Sequence, residues 1–387
     1  MPETWAHRAD LAEMAITERH ATKLWGLPRT NLAVVSWPPT TKEKVFFHWH
    51  YWWQAHYLDC LVDAESRRST KARRAAIVRT IRGIRLRNLG KLVKNRYYDD
   101  KAWLALALDR VAHSEKVARP KQLDDLEFNI LAGMDSVMGV LPWRTDENFF
   151  NVPANGPAAI MLARTGRLDK ARELVDWIFE HLMTDDGLVE DGIRLLADGP
   201  RNTSTIYTYN QGTVLGAALE IALALENQPE EQVFYITHIR GLVQAISMHV
   251  ATPGGVIDNP IDGDGDGGLF KGILVRYLAE VAVRLPDDSP ASISAKKAAE
   301  RLVMASAEAM WNHRLEVDGL PIFPARWTRD AKLPHNYSLG PNSISDALGT
   351  SRISERDLSV QLSGWMLLEA AARVSKARKE REGQAAN

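Results

Sequence analysis

Apolar positions along the chain recur mostly with the 3.6-residue period of a helix, and few segments alternate with the period of two that marks a strand. The helical segments are of two kinds. One kind carries charge along one face and spans approximately 5–22, 71–90, 121–134, 168–182, 230–248 and 291–312. The other is apolar nearly all round and spans approximately 48–64, 99–112, 155–164, 210–225, 269–282 and 357–373. The two kinds alternate strictly, six of each. A segment such as Ala102-Trp-Leu-Ala-Leu-Ala-Leu108 needs cover on both sides, whereas a helix with a charged face needs it on one side only. Six inner helices ringed by six outer ones meet both needs. The pattern therefore predicts an all-α chain folded as a single (α/α)6 barrel over 1–375, with a frayed tail at 376–387. A solenoid of helical pairs would alternate too, but such repeats normally show a motif at fixed spacing, and none is visible.

Connections entering the apolar segments are long (36–47, 91–98, 135–154, 183–209, 249–267, 313–356), and those leaving them are short. In such a barrel the long loops share one end. They are also rich in polar and aromatic residues, so the functional site is expected there, with the first turns of the inner helices.

Composition narrows the function. The 387 residues are 45% hydrophobic and 25% charged, as in folded soluble chains, and 48 basic against 49 acidic residues leave no global field for nucleic acid. Only a local basic patch between Arg73 and Arg96 remains. Cys60 is the single cysteine, which excludes an intramolecular disulfide and a thiolate metal cluster. The first ten residues carry charge where a leader would be apolar, and no run of 18 uncharged apolar residues exists, so no membrane contact and a cytoplasmic location are expected. The twelve tryptophans stand out, and their placement is more informative than their number.

Several stretches carry candidate chemistry. Asn95-Arg-Tyr-Tyr-Asp-Asp100 opens an apolar helix, and Asp99 and Asp100 could simply cap it. At the mouth of a barrel, beside Tyr97, Tyr98 and Trp103, desolvation and mutual repulsion would instead oppose ionising both. One could then serve as nucleophile and the other as proton donor, if the carboxyl groups lie about 5 Å apart. Ser204-Thr-Ile-Tyr-Thr-Tyr-Asn-Gln-Gly212 places Tyr207, Tyr209, Asn210 and Gln211 before another apolar helix, a mixture of flat faces and hydrogen-bonding tips suited to sugar rings. Asp262-Gly-Asp-Gly-Asp-Gly-Gly268 resembles a calcium loop but lacks the closing Glu. It reads better as a tight loop that delivers Asp264 or Asp266, with Phe270 and Lys271 behind, and no metal or cofactor is expected. His48-Trp-His-Tyr-Trp-Trp-Gln-Ala-His56 does not match a zinc motif, so Trp52 and Trp53 read as a subsite wall or packed core. Trp143, Asn155 and Asp191 lie in or beside other long loops.

Taken in order, the YYDD stretch, Asp176-Trp177, Asp191-Gly192, the YTYNQG stretch at 207–212, Phe270-Lys-Gly272 and Arg276-Tyr277 resemble glycoside hydrolase family 76, the α-1,6-mannanases. The likeness runs from about Trp49 to Gln361-Leu-Ser-Gly364. It implies an (α/α)6 barrel and retaining endo-hydrolysis of α-1,6-linked mannan or mannooligosaccharides, with Asp99 as nucleophile and Asp100 as general acid/base. Departures are Trp103-Leu104 in place of a tryptophan pair, and Gly139-Val-Leu-Pro-Trp-Arg144 in place of a Gly- and Trp-rich loop. Three other classes stay open beside this one. They are a sugar epimerase using histidines at 48, 56, 238 and 249, a glycan-binding barrel without turnover, and a scaffold.

Overall fold

The computed structural model describes residues 4–114, 117–332 and 353–385. The two helix types emerge in chain order. The amphipathic series is α1 (Trp5–Arg19), α3 (Lys71–Arg87), α5 (Gln122–Ala132), α7 (Leu168–His181), α9 (Pro229–His249) and α11 (Pro290–Asn312). The apolar series is α2 (Tyr51–Arg67), α4 (Tyr98–Ala112), α6 (Val152–Arg164), α8 (Thr208–Ala224), α10 (Gly267–Arg284) and α12 (Leu358–Ala385). The chain is all-α, and no described helix is long and apolar enough to cross a membrane. Of the expected loop 313–356, residues 333–352 lie outside the described residues, as do residues 386–387 of the expected tail. Up to Ala385 that tail is instead helical, continuing α12 as exposed turns with Lys376–Glu380 and Arg378–Glu382 pairs at helical spacing.

The chain forms two compact units, with boundaries in the loops at 90/91 and 251/252 and inside α10 and α11. The first comprises residues 1–90, 252–275 and 302–387. In it α12 packs on α1 and α2, and α2 on α3. The second comprises residues 91–251 and 276–301, where α6 packs on α4 and α8, and α7 and α9 cover the outside of α6 and α8.

Small residues let the apolar helices approach closely. A Cβ on Gly156 would strike Thr213, and one on Gly216 would strike the Tyr277 ring, so both positions exclude any larger residue. At the far end of the same unit, Glu220 of α8 accepts from Arg164 Nη2 at 2.7 Å and from Arg284 Nη1 at 2.6 Å, tying α6, α8 and α10 together.

The period-two signal missed three small antiparallel sheets: β1–β2 (Ala21–Thr22, Leu32–Ala33), β3–β4–β5 (Phe149–Asn151, Gly192–Leu196, Gly199–Thr203) and β6–β7 (Leu315–Val317, Leu320–Ile322). These strands have two to five residues, and Gly199-Pro-Arg-Asn-Thr203 faces solvent along most of its length, so it shows no apolar alternation.

Candidate active site

In the second unit, four loop segments are joined into one irregular platform ahead of the apolar helices. Tyr98 N donates to Trp143 O at 2.9 Å, Thr145 N to Arg96 O at 2.9 Å, and Trp143 N to Phe149 O at 2.7 Å. The β3–β4–β5 sheet continues the pairing, with Asn151 opposite Gly192 and Gly192 opposite Thr203. Backbone hydrogen bonds thereby fix the relative places of Tyr97, Asp99, Trp143, Asn151 and Asp191, although Asp191 lies 92 positions after Asp99 in sequence.

The two consecutive aspartates occupy the first turn of α4, where free amides and the helix dipole favour negative charge. Their surroundings differ. Asp99 Oδ1 accepts from Asp100 N at 2.8 Å, and its Oδ2 accepts from Trp143 Nε1 at 2.9 Å. Asp100 Oδ2 accepts from Asn95 Nδ2 at 2.6 Å, and Asn95 Oδ1 in turn accepts from Tyr97 N at 2.9 Å. Both aspartates are half-buried. Trp143 stands edge-on to Tyr97 at 5.1 Å and to Phe149 at 6.1 Å. Glu147 pairs with both Arg144 and Arg194, and Arg194 lies 4.2 Å over Phe149.

Asp191 ends the loop before β4 and is buried. Its Oδ1 accepts from Asn210 Nδ2 at 3.0 Å. Burial raises its pKa to about 6, against the opposing pull of Asn210 and Arg194. Tyr207 and Tyr209 have ring centroids 5.8 Å apart, Tyr209 buried and Tyr207 half-exposed.

Several expected binding residues serve the fold instead. Asn155 is fully buried: its Oδ1 accepts from Leu141 N at 2.8 Å, and its Nδ2 donates to Leu141 O at 2.9 Å and Asn151 O at 2.8 Å. Gln211 does the same, exchanging two 2.8 Å bonds with the Val189 backbone and donating to Tyr207 O at 3.0 Å. Both N–H donors of each amide are taken by backbone carbonyls in a buried place, which corrects their assignment to substrate. Asn210 is buried behind Asp191 and orients it. Tyr98 is wedged where a Cβ on Gly133 would sit, under the Lys101 ammonium at 4.1 Å, so it packs and does not face a ligand. Lys101 donates to Asn129 Oδ1 at 2.7 Å; burial lowers its pKa to about 8, with Asp100 acting the other way.

The first unit holds a second cluster. Trp52 and Trp53 both donate their indole N–H to Asp266 Oδ1, at 2.9 and 2.8 Å, and His50 stacks on Trp53 at 4.2 Å. Trp53 is fully buried; Trp52 is half-exposed, 6.4 Å from Phe270, which is itself buried. Asp264 accepts from Ser354 Oγ at 3.3 Å. Lys271 is buried and donates to Ala325 O at 2.5 Å, which removes it from the expected binding set. Burial lowers its pKa to about 8, against the pull of Asp262 and Asp258. Among the described residues, no three His, Cys, Asp or Glu side chains gather as a metal-holding group.

A side-chain amide recurs at one place in four of the apolar helices, in α2 and α12 as well as α6 and α8. Gln54 exchanges 2.9 and 2.8 Å bonds with the Ala33 backbone and donates to Trp49 O at 2.9 Å. Gln361 exchanges two 3.0 Å bonds with Phe323 and donates to Glu355 O at 2.9 Å. Gln54, Asn155, Gln211 and Gln361 are each the fourth residue of their helix. An amide at the fourth position of an otherwise apolar helix is the signal that would have found them. Of the histidines offered for epimerisation, His238 bonds its own helix at Phe234 O, 2.9 Å, and stacks on Phe179 at 4.0 Å.

Glycosyl hydrolase family 76 matches residues 30–343. The solved α-1,6-mannanase GH76A of a Salegentibacter species is 27% identical, with a TM-score of 0.77, covering 96% of this chain and 99% of that one. A variant of that enzyme, inactivated by replacing two consecutive aspartates with asparagine and solved with α-1,6-mannotriose, matches equally well (27%, 0.77, 96% and 99%). The Lin0763 protein of Listeria innocua, at 23% identity and a TM-score of 0.77 over 96% of this chain and 98% of that one, shares the fold. No curated protein matches the chain. The fold class is the expected all-α (α/α)6 type.

Proposed function

The chain belongs to glycosyl hydrolase family 76 and is a glycoside hydrolase, and on that premise we propose that it cleaves α-1,6-mannosidic linkages in mannan or mannooligosaccharides, endo-acting and with retention. Residues 1–375 are taken as one catalytic domain. The observation that carries the reading is the pair of consecutive carboxylates opening α4, each held by a different partner, in a chain similar to an enzyme that loses activity when two consecutive aspartates are replaced.

Asp99 is the nucleophile. The Trp143 indole and the Asp100 amide occupy one lone-pair direction on each of its oxygens, which holds the carboxylate in one rotamer facing the anomeric carbon. Asp100 delivers its proton to the departing glycosidic oxygen as the Asp99 oxygen bonds to C1. It then takes a proton from the water that releases the sugar from Asp99. Both steps invert C1, so the product keeps the α configuration. Asp191, neutral at mildly acidic pH, can donate to a sugar hydroxyl, while Tyr97, Trp143 and Tyr207 offer ring faces. Within the first unit, Trp52, whose indole donates to Asp266, offers a half-exposed ring to a sugar, and Asp264 and Asp266 are the acids of the same loop.

Incubation with α-1,6-mannotetraose, followed by proton NMR of the first product anomer, tests this. The α anomer should appear first, and Asp99→Asn and Asp100→Asn should each abolish or severely slow turnover. Unchanged turnover in both variants would falsify the assignment.

A further inference from the structure

The first unit contains a groove that the catalytic reading does not use. It has a volume of about 1150 Å³, at the upper end of what small-ligand clefts occupy (roughly 300–1,000 Å³). One wall is the turn between Lys23 and Thr30, in which Trp25, Gly26 and Arg29 have φ of 47°, 74° and 59°. Left-handed backbone is disfavoured at a tryptophan and persists only where its surroundings impose it. Here Leu24 N donates to Thr30 Oγ1 at 3.1 Å, Thr30 Oγ1 donates to Leu27 O at 2.6 Å, and Trp25 Nε1 donates to Val45 O at 2.7 Å. The strained turn holds a large ring that is 51% exposed and fixed in orientation, when burial would have been the favourable place for it.

The charge around that ring is one-sided. Lys23, Lys44, Arg73 and Arg79 line the groove with a single carboxylate, Glu13, in a chain whose net charge is -1. Glu13 is taken by Arg73. Among the described residues, Lys23, Lys44 and Arg79 have no ion pair, so three cations face a space with no counter-charge. At the back, Asn31 Nδ2 donates to Tyr57 OH and to Thr80 Oγ1, both at 2.9 Å.

We infer that this groove binds an anionic glycan chain, with a sugar ring stacked on Trp25 and the phosphate or carboxylate groups of the chain against Lys23, Lys44 and Arg79. A flat fixed indole suits the apolar face of a pyranose, and three uncompensated cations supply the preference for charge. The sugar half of this assignment rests on the mannan reading; the preference for an anion does not.

The test is calorimetric titration of the full-length protein carrying Asp99→Asn, so that no ligand is cleaved, with a phosphate-bearing mannan, and with the same mannan after removal of its phosphate, in excess α-1,6-mannotetraose to occupy the cleavage site; turnover is measured separately with Asp99 in place. The phosphorylated polymer should bind about tenfold tighter and weaken with added salt. Trp25→Ala and the Lys44→Glu/Arg79→Glu double variant should each lose that advantage while turnover of free mannotetraose stays at the wild-type rate. Should Trp25→Ala unfold, the charge-reversal variant alone decides, since its side chains are exposed. Equal affinity for the two polymers, or variants that bind as the wild type does, would overturn the proposal. So would tighter binding of inorganic polyphosphate or phosphatidylglycerol vesicles than of phosphomannan. Binding that persists when the protein with Asp99 in place does not turn over mannotetraose would reject the proposed activity and leave this site standing.

Discussion

Trp143 Nε1 donates to Asp99 Oδ2 at 2.9 Å, and Trp143 is itself held by backbone bonds to Tyr98 and Phe149 on either side. The indole is thus a fixed donor to the nucleophile, positioned by a sheet-like platform and not by its own helix. Trp143→Phe keeps much of the ring and removes that donor. A hydrogen bond to a charged group is worth about 1.5–3 kcal/mol, so kcat/KM on α-1,6-mannotetraose should fall roughly ten- to hundredfold with little loss of thermal stability. Wild-type kcat/KM in a folded Trp143→Phe protein would show that the indole does not position Asp99.

Asp191 offers a second check, this time on stability. Its folded pKa of about 6 lies above the ordinary carboxyl value of 3.8 because burial disfavours the charged form. A raised acid contributes stability that is complete below its unfolded pKa and is lost as pH rises through the folded one. Between about pH 4 and 6, wild-type protein should therefore lose stability relative to Asp191→Asn, by roughly 3 kcal/mol at most, with no further divergence above that window. Urea unfolding of both proteins from pH 3.5 to 7 measures it, and a difference that stays constant with pH would sink the argument.

The Glu220 junction titrates in the opposite sense. Burial alone would raise its pKa, but the hydrogen bond from Arg284 and the charge of Arg164 outweigh burial and lower it below 4.5. Its contribution is present above about pH 4.5 and is lost as pH falls through the lowered value. Glu220→Ala removes the carboxylate that Arg164 and Arg284 share, leaving Arg284 with Glu280 at 3.2 Å and Arg164 with Asp109 at 4.0 Å, and should cost about 1.5–3 kcal/mol at neutral pH. The deficit should shrink in acid. Thermal unfolding at pH 7 and pH 3.5 compares the two; an equal deficit at both would contradict the pairing.

The alternation of helix types was legible because full burial of α4, α6 and α8 requires residues such as Ala102, Ala107, Ala158 and Ala217, which leave an unmistakable apolar run. The aspartate pair was legible because acidic residues are conspicuous at the start of such a run. What escaped notice was set by pairing between distant segments. Trp143 reaches Asp99 only through backbone bonds made by 96–98 and 149, and nothing local to Pro142-Trp-Arg144 announces that. The Trp52 and Trp53 indoles converge on Asp266, more than 200 positions away. Polar residues on apolar helices were read as ligand-facing, when Asn155 and Gln211 spend every donor on backbone.

That recurring amide leads to the most general prediction. At the fourth position of α2, α6, α8 and α12, one side-chain amide pairs with both the N–H and the C=O of a single residue in an incoming loop, and also takes a carbonyl next to its own helix start. Each loop strand is thereby docked as if to a neighbouring strand, at a place where the helix could not otherwise meet its buried polar groups. No fixed spacing appears because the four loops differ in length, which is why the device is invisible as a sequence repeat. Gln211→Leu fills similar volume but strands the Val189 N–H and C=O in a buried place, at about 1–3 kcal/mol for each unsatisfied group. The variant should lose about 2–5 kcal/mol in urea unfolding, and the Val189 amide should exchange with solvent far faster than its neighbours. Gln211→Glu keeps the acceptor but loses both donors, so Val189 N–H should remain protected while stability still falls. If Val189 exchanges equally fast in both variants, the Oε1 acceptor is not what docks the loop.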